Sequence, residues 1–129
     1  MKARWHEWTL TEARQAMADK RCTSVELVTH HLERISGAGA ALNAFITVTG
    51  ESALQAAALA DQRISSGDAR PLEGLPIAHK DIFCTENVRT TCGSRMLESF
   101  EPPYSATVVR KLEAAGAIVL GKTNMAEFA

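Results

Sequence analysis

The sequence lacks an excess of charge of either sign. Fourteen Lys and Arg stand against fifteen Asp and Glu, a formal net charge of −1. That excludes the general electrostatic footprint of a nucleic-acid binder, a basic domain or stripe, so any contact with RNA has to come from another surface. Cysteine is scarce: Cys22, Cys84 and Cys92 are an odd number without a C-x-x-C pair. This excludes a disulfide framework and a zinc knuckle and leaves reduced, buried thiols as the ordinary reading. No window approaches the roughly 18 consecutive apolar residues of a membrane span. The first ten residues carry Trp5, His6, Glu7 and Trp8 where a secretory leader needs an uninterrupted apolar core, so the cytosol is the expected location. Internal repeats are also lacking, as is low complexity beyond a bias toward alanine.

What is there is an ordinary folded composition, 46% hydrophobic and 22% charged over 129 residues. A compact chain of this length buries roughly two-thirds of its unfolded surface, enough for one core. Thr9-Leu-Thr-Glu12 has the form of a capping box, in which hydroxyl and carboxylate satisfy each other's orphan amides, and Leu10, Ala13 and Met17 follow at helical spacing. A helix over about residues 10 to 20 is expected. Thr23-Ser-Val-Glu26 repeats the signal, with Val25, Val28, Leu32 and Ile35 on one face and Gly37 and Gly39 predicted to end the run. A short strand ending at Val48 precedes an alanine-rich helix carrying Ala53, Ala56, Ala57, Ala60 and Ile64. Alanines bury little area each, so that helix needs a broad partner surface, and none is evident in the sequence.

Residues 65 to 71 read as a surface turn, and Leu75 to Ala78 as a buried strand entering His79, Lys80 and Asp81. Beyond a polar loop and Pro102-Pro103, Ser105 is placed to cap a helix with Val108, Val109, Leu112 and Ala115 inward and Gly116 at its left-handed end. Ala117 to Leu120 is a continuous apolar run, the mark of a strand covered on both faces, and it closes a strand-helix-strand unit with a parallel pair. The fold class is therefore α/β. Ligands in such sheets sit beyond the strand C-termini. The sequence stops at Asn124 to Ala129, directly after such an end, which predicts that it is cut from a longer chain.

The spacing Gly74 to Asp81, GLPIAHKD, superficially matches a phosphate-binding P-loop, but His79 replaces the glycine that lets amides wrap a phosphate, and Asp81 replaces the magnesium-binding hydroxyl with a repelling charge. What remains is a lysine at the end of an apolar strand, where an ammonium ion costs several kcal/mol unless paired. Either Lys80 forms a salt bridge to Asp81 or another acid, or it is a lysine kept partly neutral, able to take a proton from a serine nucleophile.

The run GLPIAHKDIFCTENVRTTCGSR from Gly74 to Arg95, then Tyr104-Ser-Ala-Thr-Val-Val109 and AAGAIVLGKTNMAEF from Ala114 to Phe128, resembles the start of the amidase-signature family. Thr23-Ser-Val-Glu-Leu27 and Leu42-Asn-Ala-Phe-Ile46 extend the likeness over nearly the whole chain in order. Within that family the blocks are most similar to the glutamine-hydrolysing A-type subunits of tRNA-dependent amidotransferases. The resemblance implies a mixed sheet flanked by helices, with residues 1–129 as the N-terminal portion of a single amidase domain. It implies a triad of a lysine, a serine in cis peptide geometry and a nucleophilic serine, in which Lys80 is the lysine and both serines lie beyond residue 129. This chain alone would then be inactive. Partners would be the B-type and C-type subunits, glutamine, and mischarged Glu-tRNA(Gln) or Asp-tRNA(Asn); ATP and Mg would be used by a partner subunit, with no cofactor or metal in this chain. Ala126 departs from the acidic residue expected in the amidotransferase form of its block. A free-standing amidase of the same family, or a non-catalytic interaction module in which Lys80 is structural, are the competing readings.

His30 and His31 project about 100° apart on a helix and do not readily share an ion, so His6, His30, His31 and His79 read as packed or solvated side chains. Trp5 and Trp8 read as a hydrophobic anchor for the first helix.

Overall fold

Both capping boxes form. In the computed structural model, which describes residues 3–129, Thr9 caps α1 (Leu10–Ala18) and Thr23 caps α2 (Ser24–Arg34), each hydroxyl accepting from the amide of the glutamate three residues on, whose carboxylate accepts from the cap's own amide. Trp8 stacks on Trp5 at 5.8 Å between centroids, and both pack on a cluster of Ala13, Ala16, Met17, Leu27 and Leu75. The anchor role is thus observed.

Gly37 and Gly39 do not end the second helical run. The chain continues through a π-helical turn, Ile35–Gly39, into α3 (Ala40–Leu42), and Asn43 at φ 52° terminates it. Glycine weakens a helix without forbidding it, whereas a left-handed residue redirects the chain. β1 (Phe45–Val48) and the alanine-rich α4 (Gly50–Ser65) follow. The partner surface for α4 is α2 and the sheet: Ala53, Ala57 and Ala60 pack against Val28, Ile118 and Leu120. Asp61 on α4 also accepts from the amides of Ser24 (2.7 Å) and Val25 (3.1 Å), capping α2 from a distance of 37 residues along the chain. No local pattern announces that contact.

β2 (Pro76–Lys80), α5 (Thr107–Ala114) and β3 (Ile118–Thr123) complete the strand-helix-strand unit. β3 is central, parallel to β2 and antiparallel to β1, a mixed sheet of order β1-β3-β2. The centre of a sheet is covered, and Ile118, Leu120 and Lys122 are buried there. β2 is an edge, so although Leu75 is buried, Ala78 is exposed and the strand is less enclosed than its apolar run predicts. Ser105 does not cap α5: Ala106 occupies the cap, and the Ser105 hydroxyl accepts from the Glu86 amide at 2.9 Å. Of the expected inward residues Val109 is buried and Val108 is exposed. Gly116 takes the left-handed conformation, φ 96°, that the end of α5 requires. Among the described residues no helix is long and apolar enough to cross a membrane.

Candidate active site

The C-terminal ends of β2 and β3 lie side by side, with His79 opposite Lys122 and Lys80 opposite Thr123. Between the Ile77–Val119 and His79–Lys122 pairs β3 carries one residue more than β2, a bulge that re-aims the side chains beyond it. Gly121 sits in that bulge. A Cβ there would stand 2.2 Å from the Thr47 carbonyl oxygen of β1, so only glycine lets the two strands close.

Lys80 and Asp81 part company. The Lys80 side chain is exposed, and among the described residues no carboxylate lies within ion-pair distance of it; Asp81 is wholly buried. The Asp81 carboxylate accepts from the Thr91 amide (2.9 Å) and the Thr91 hydroxyl, and its other oxygen stands 3.4 Å from Nζ of Lys122. The salt bridge open to Lys80 in the sequence therefore belongs to Lys122. That lysine is fully enclosed, its side chain 0% exposed, and Nζ donates to the Phe83 carbonyl (2.8 Å) and the Thr90 hydroxyl (2.8 Å). Burial pulls its ammonium below the ordinary lysine value, with the Asp81 carboxylate opposing that pull.

Main-chain bonds lock the turn after Lys80. The Phe83 amide donates to the Lys80 carbonyl (3.1 Å), the Asp81 amide to Thr123 (3.2 Å), and the Cys92 amide to the Asp81 carbonyl (3.0 Å). The C-terminal segment joins the same loop: Phe128 donates its amide to Cys92 (2.9 Å), and the Ser94 hydroxyl donates to Glu127 (2.7 Å). His79 is buried beside this cluster, its Nε2 without a hydrogen-bond partner, and burial followed by the nearby Lys122 pushes its pKa below the ordinary histidine value.

Sequence reasoning singled out Lys80 and did not single out Lys122. The available signal was the same for both, a lysine closing an apolar strand, and β3 is the more apolar of the two. The other singled-out residues lie elsewhere. Nδ1 of His6 meets Nε2 of His30 at 2.9 Å in a stacked pair, while His31 turns away to the Leu27 carbonyl. Cys22, Cys84 and Cys92 are free thiols, with Cys22 buried.

Residues 26–129 match the family model described as Amidase. The chain is 59% identical over 121 residues to the A-type subunit of the glutamyl-tRNA(Gln) amidotransferase of Aromatoleum aromaticum, covering 94% of this chain and 25% of that protein. To the protein of the same description from Thioalkalivibrio sulfidiphilus it is 54% identical over 124 residues, covering 96% and 26%. Among solved structures, native peptide amidase from Stenotrophomonas maltophilia superimposes with a TM-score of 0.92 at 32% identity, over 98% of this chain and 26% of its own. The chain thus spans about a quarter of the length of the curated relatives it matches.

Proposed function

We propose that this chain, which belongs to the amidase family, is the N-terminal portion of the glutamine-hydrolysing, A-type component of a tRNA-dependent amidotransferase, and that Lys80 is the proton acceptor of its active site. The observation that carries the amidotransferase assignment is 54–59% identity to proteins of that description, against 32% to the peptide amidase. Lys80 is supported by its place at a strand C-terminus, by its freedom from Asp81, and by a turn held rigid on both sides of its carbonyl. The open edge of β2 and the exposure of Leu42 (77%) and Met96 (82%) support a larger enzyme that continues the sheet and covers these side chains.

In that enzyme Lys80 accepts a proton relayed by a bridging serine from a nucleophilic serine, both supplied from beyond residue 129. The activated oxygen attacks the side-chain amide carbon of glutamine, the C–N bond breaks, and the relayed proton leaves with the nitrogen as ammonia. The glutamyl ester is then hydrolysed. Ammonia passes to a partner of the B type, held with one of the C type, where ATP and Mg activate Glu-tRNA(Gln) or Asp-tRNA(Asn) for amide formation, in the cytoplasm. A free-standing amidase is favoured only by Ala126, and the difference in identity weighs against it.

The test is glutamine hydrolysis by the full-length protein co-expressed with its partner subunits, with and without Lys80→Ala. The expected result is ammonia release in the wild type and its loss in the variant. Full activity in Lys80→Ala would remove Lys80 from the chemistry, and hydrolysis of small amides without glutaminase activity would establish the free-standing amidase.

A further inference from the structure

We propose that Lys122 is a positioning residue for Lys80, acting through Asp81 and the turn from Lys80 to Phe83; this rests on the reading of Lys80 as proton acceptor. Lys122 reaches that turn by two routes. Its Nζ holds the Phe83 carbonyl at 2.8 Å, and Phe83 in turn donates its amide to the Lys80 carbonyl. Its charge also stands 3.4 Å from Asp81 Oδ1, an oxygen with no hydrogen-bond donor of its own. Asp81 is the next residue after Lys80, so the carboxylate nearest Lys80 in the chain owes its compensation to a lysine on the neighbouring strand.

A structural peg for the loop could have been an uncharged donor, since the surrounding carbonyl and hydroxyl do not require a charged one. A second full charge in a site with no solvent access is what the Asp81 carboxylate requires. With both present the pair is neutral toward Lys80. With one removed, the remaining charge is no longer cancelled beside Lys80, the next residue along the chain from Asp81. The other titratable groups around Lys122 are His79 on β2 and Cys84 and Cys92 on the loop, and among the described residues Asp81 is the carboxylate within ion-pair distance of it.

The experiment is the pH dependence of glutamine hydrolysis by the full-length complex carrying Lys122→Met, Asp81→Asn, or both. Lys122→Met leaves a negative charge beside Lys80 that favours its protonated form. The acid limb of the kcat profile is expected to move up by about one pH unit, an about ten-fold loss of rate on that limb, with KM for glutamine nearly unchanged. Asp81→Asn is expected to move it down, and the double variant to return it to the wild-type position. Opposite shifts that cancel are not produced by a merely loosened turn. An acid limb that stays fixed in both single variants, or a double variant that remains shifted, would overturn the proposal. Should Lys122→Met fail to fold, Lys122→Arg, which keeps the charge, is expected to hold the wild-type limb while Asp81→Asn moves it; coincident profiles would again overturn the idea. Titration of the Lys80 side chain by carbon NMR in the same full-length variants reports the coupling without turnover. Absence of glutaminase activity in the wild type would therefore count against the proposed function, and an unmoved Lys80 titration against Lys122.

Discussion

Two lysines close two neighbouring parallel strands, and the fold treats them in opposite ways. Lys80 ends the edge strand β2 with its side chain exposed, while Lys122, opposite His79 on the central strand β3, is enclosed and held by Phe83, Thr90 and Asp81. The two look alike in the sequence, an apolar run followed by a cation. The difference shows that strand position decides how a charge is accommodated: the buried lysine has its partners provided, and the exposed one has no carboxylate partner among the described residues.

The comparison breaks most visibly through Lys80→Ala in the full-length enzyme, expected to lower glutamine hydrolysis about 10⁴-fold, the upper range for loss of a general base, while urea unfolding stays within about 0.5 kcal/mol of wild type. Lys122→Met is expected to do the reverse in kind, costing about 3–5 kcal/mol of stability because it strands a buried carboxylate. Chemical denaturation of both variants side by side checks the pair; comparable stability losses at the two positions would erase the distinction. Thr23→Ala serves as a reference far from either lysine, expected to cost about 1 kcal/mol through the lost cap of α2 without altering the rate profile.

The smallest effect sharpens the environment of Lys122. His79 has a folded pKa below its unfolded value of about 6.5. The unfolded chain therefore binds the extra proton first, and the stability held above pH 6.5 falls as pH drops through 6.5 toward the folded pKa. Unfolding measured at pH 7.5 and 5.5 is expected to show this loss in the wild type and less of it in His79→Gln. Glu73 acts in the same direction at lower pH. Hydrogen bonds from Arg70 are the largest cause holding its carboxyl below the ordinary 4.5, so its stabilisation is present above that value and lost as pH falls through the folded one.

Much of the scaffold was legible because its causes are local. The capping boxes of Thr9 and Thr23, the left-handed Gly116, the strand over 117–120 and its parallel partner each follow from the conformational preferences of adjacent residues. Local rules also misled: the Ser105 hydroxyl accepts from the Glu86 amide instead of capping α5, and the helix passes Gly37 and Gly39 until Asn43.

The sequence by itself determined the capped starts of α1 and α2 and the α/β order, which depend on residue type and spacing, while the family and the candidacy of Lys80 came from the likeness of its motif blocks to the amidase-signature family. Only the tertiary structure decided which cation Asp81 would neutralise, which surface the alanines of α4 would meet, and that Asp61 would cap α2. Those choices depend on which strand lies at the centre of the sheet and on distances between residues tens of positions apart. Burial and pairing of charge are set by three-dimensional neighbours, so two identical side chains at similar strand ends acquire different chemistry.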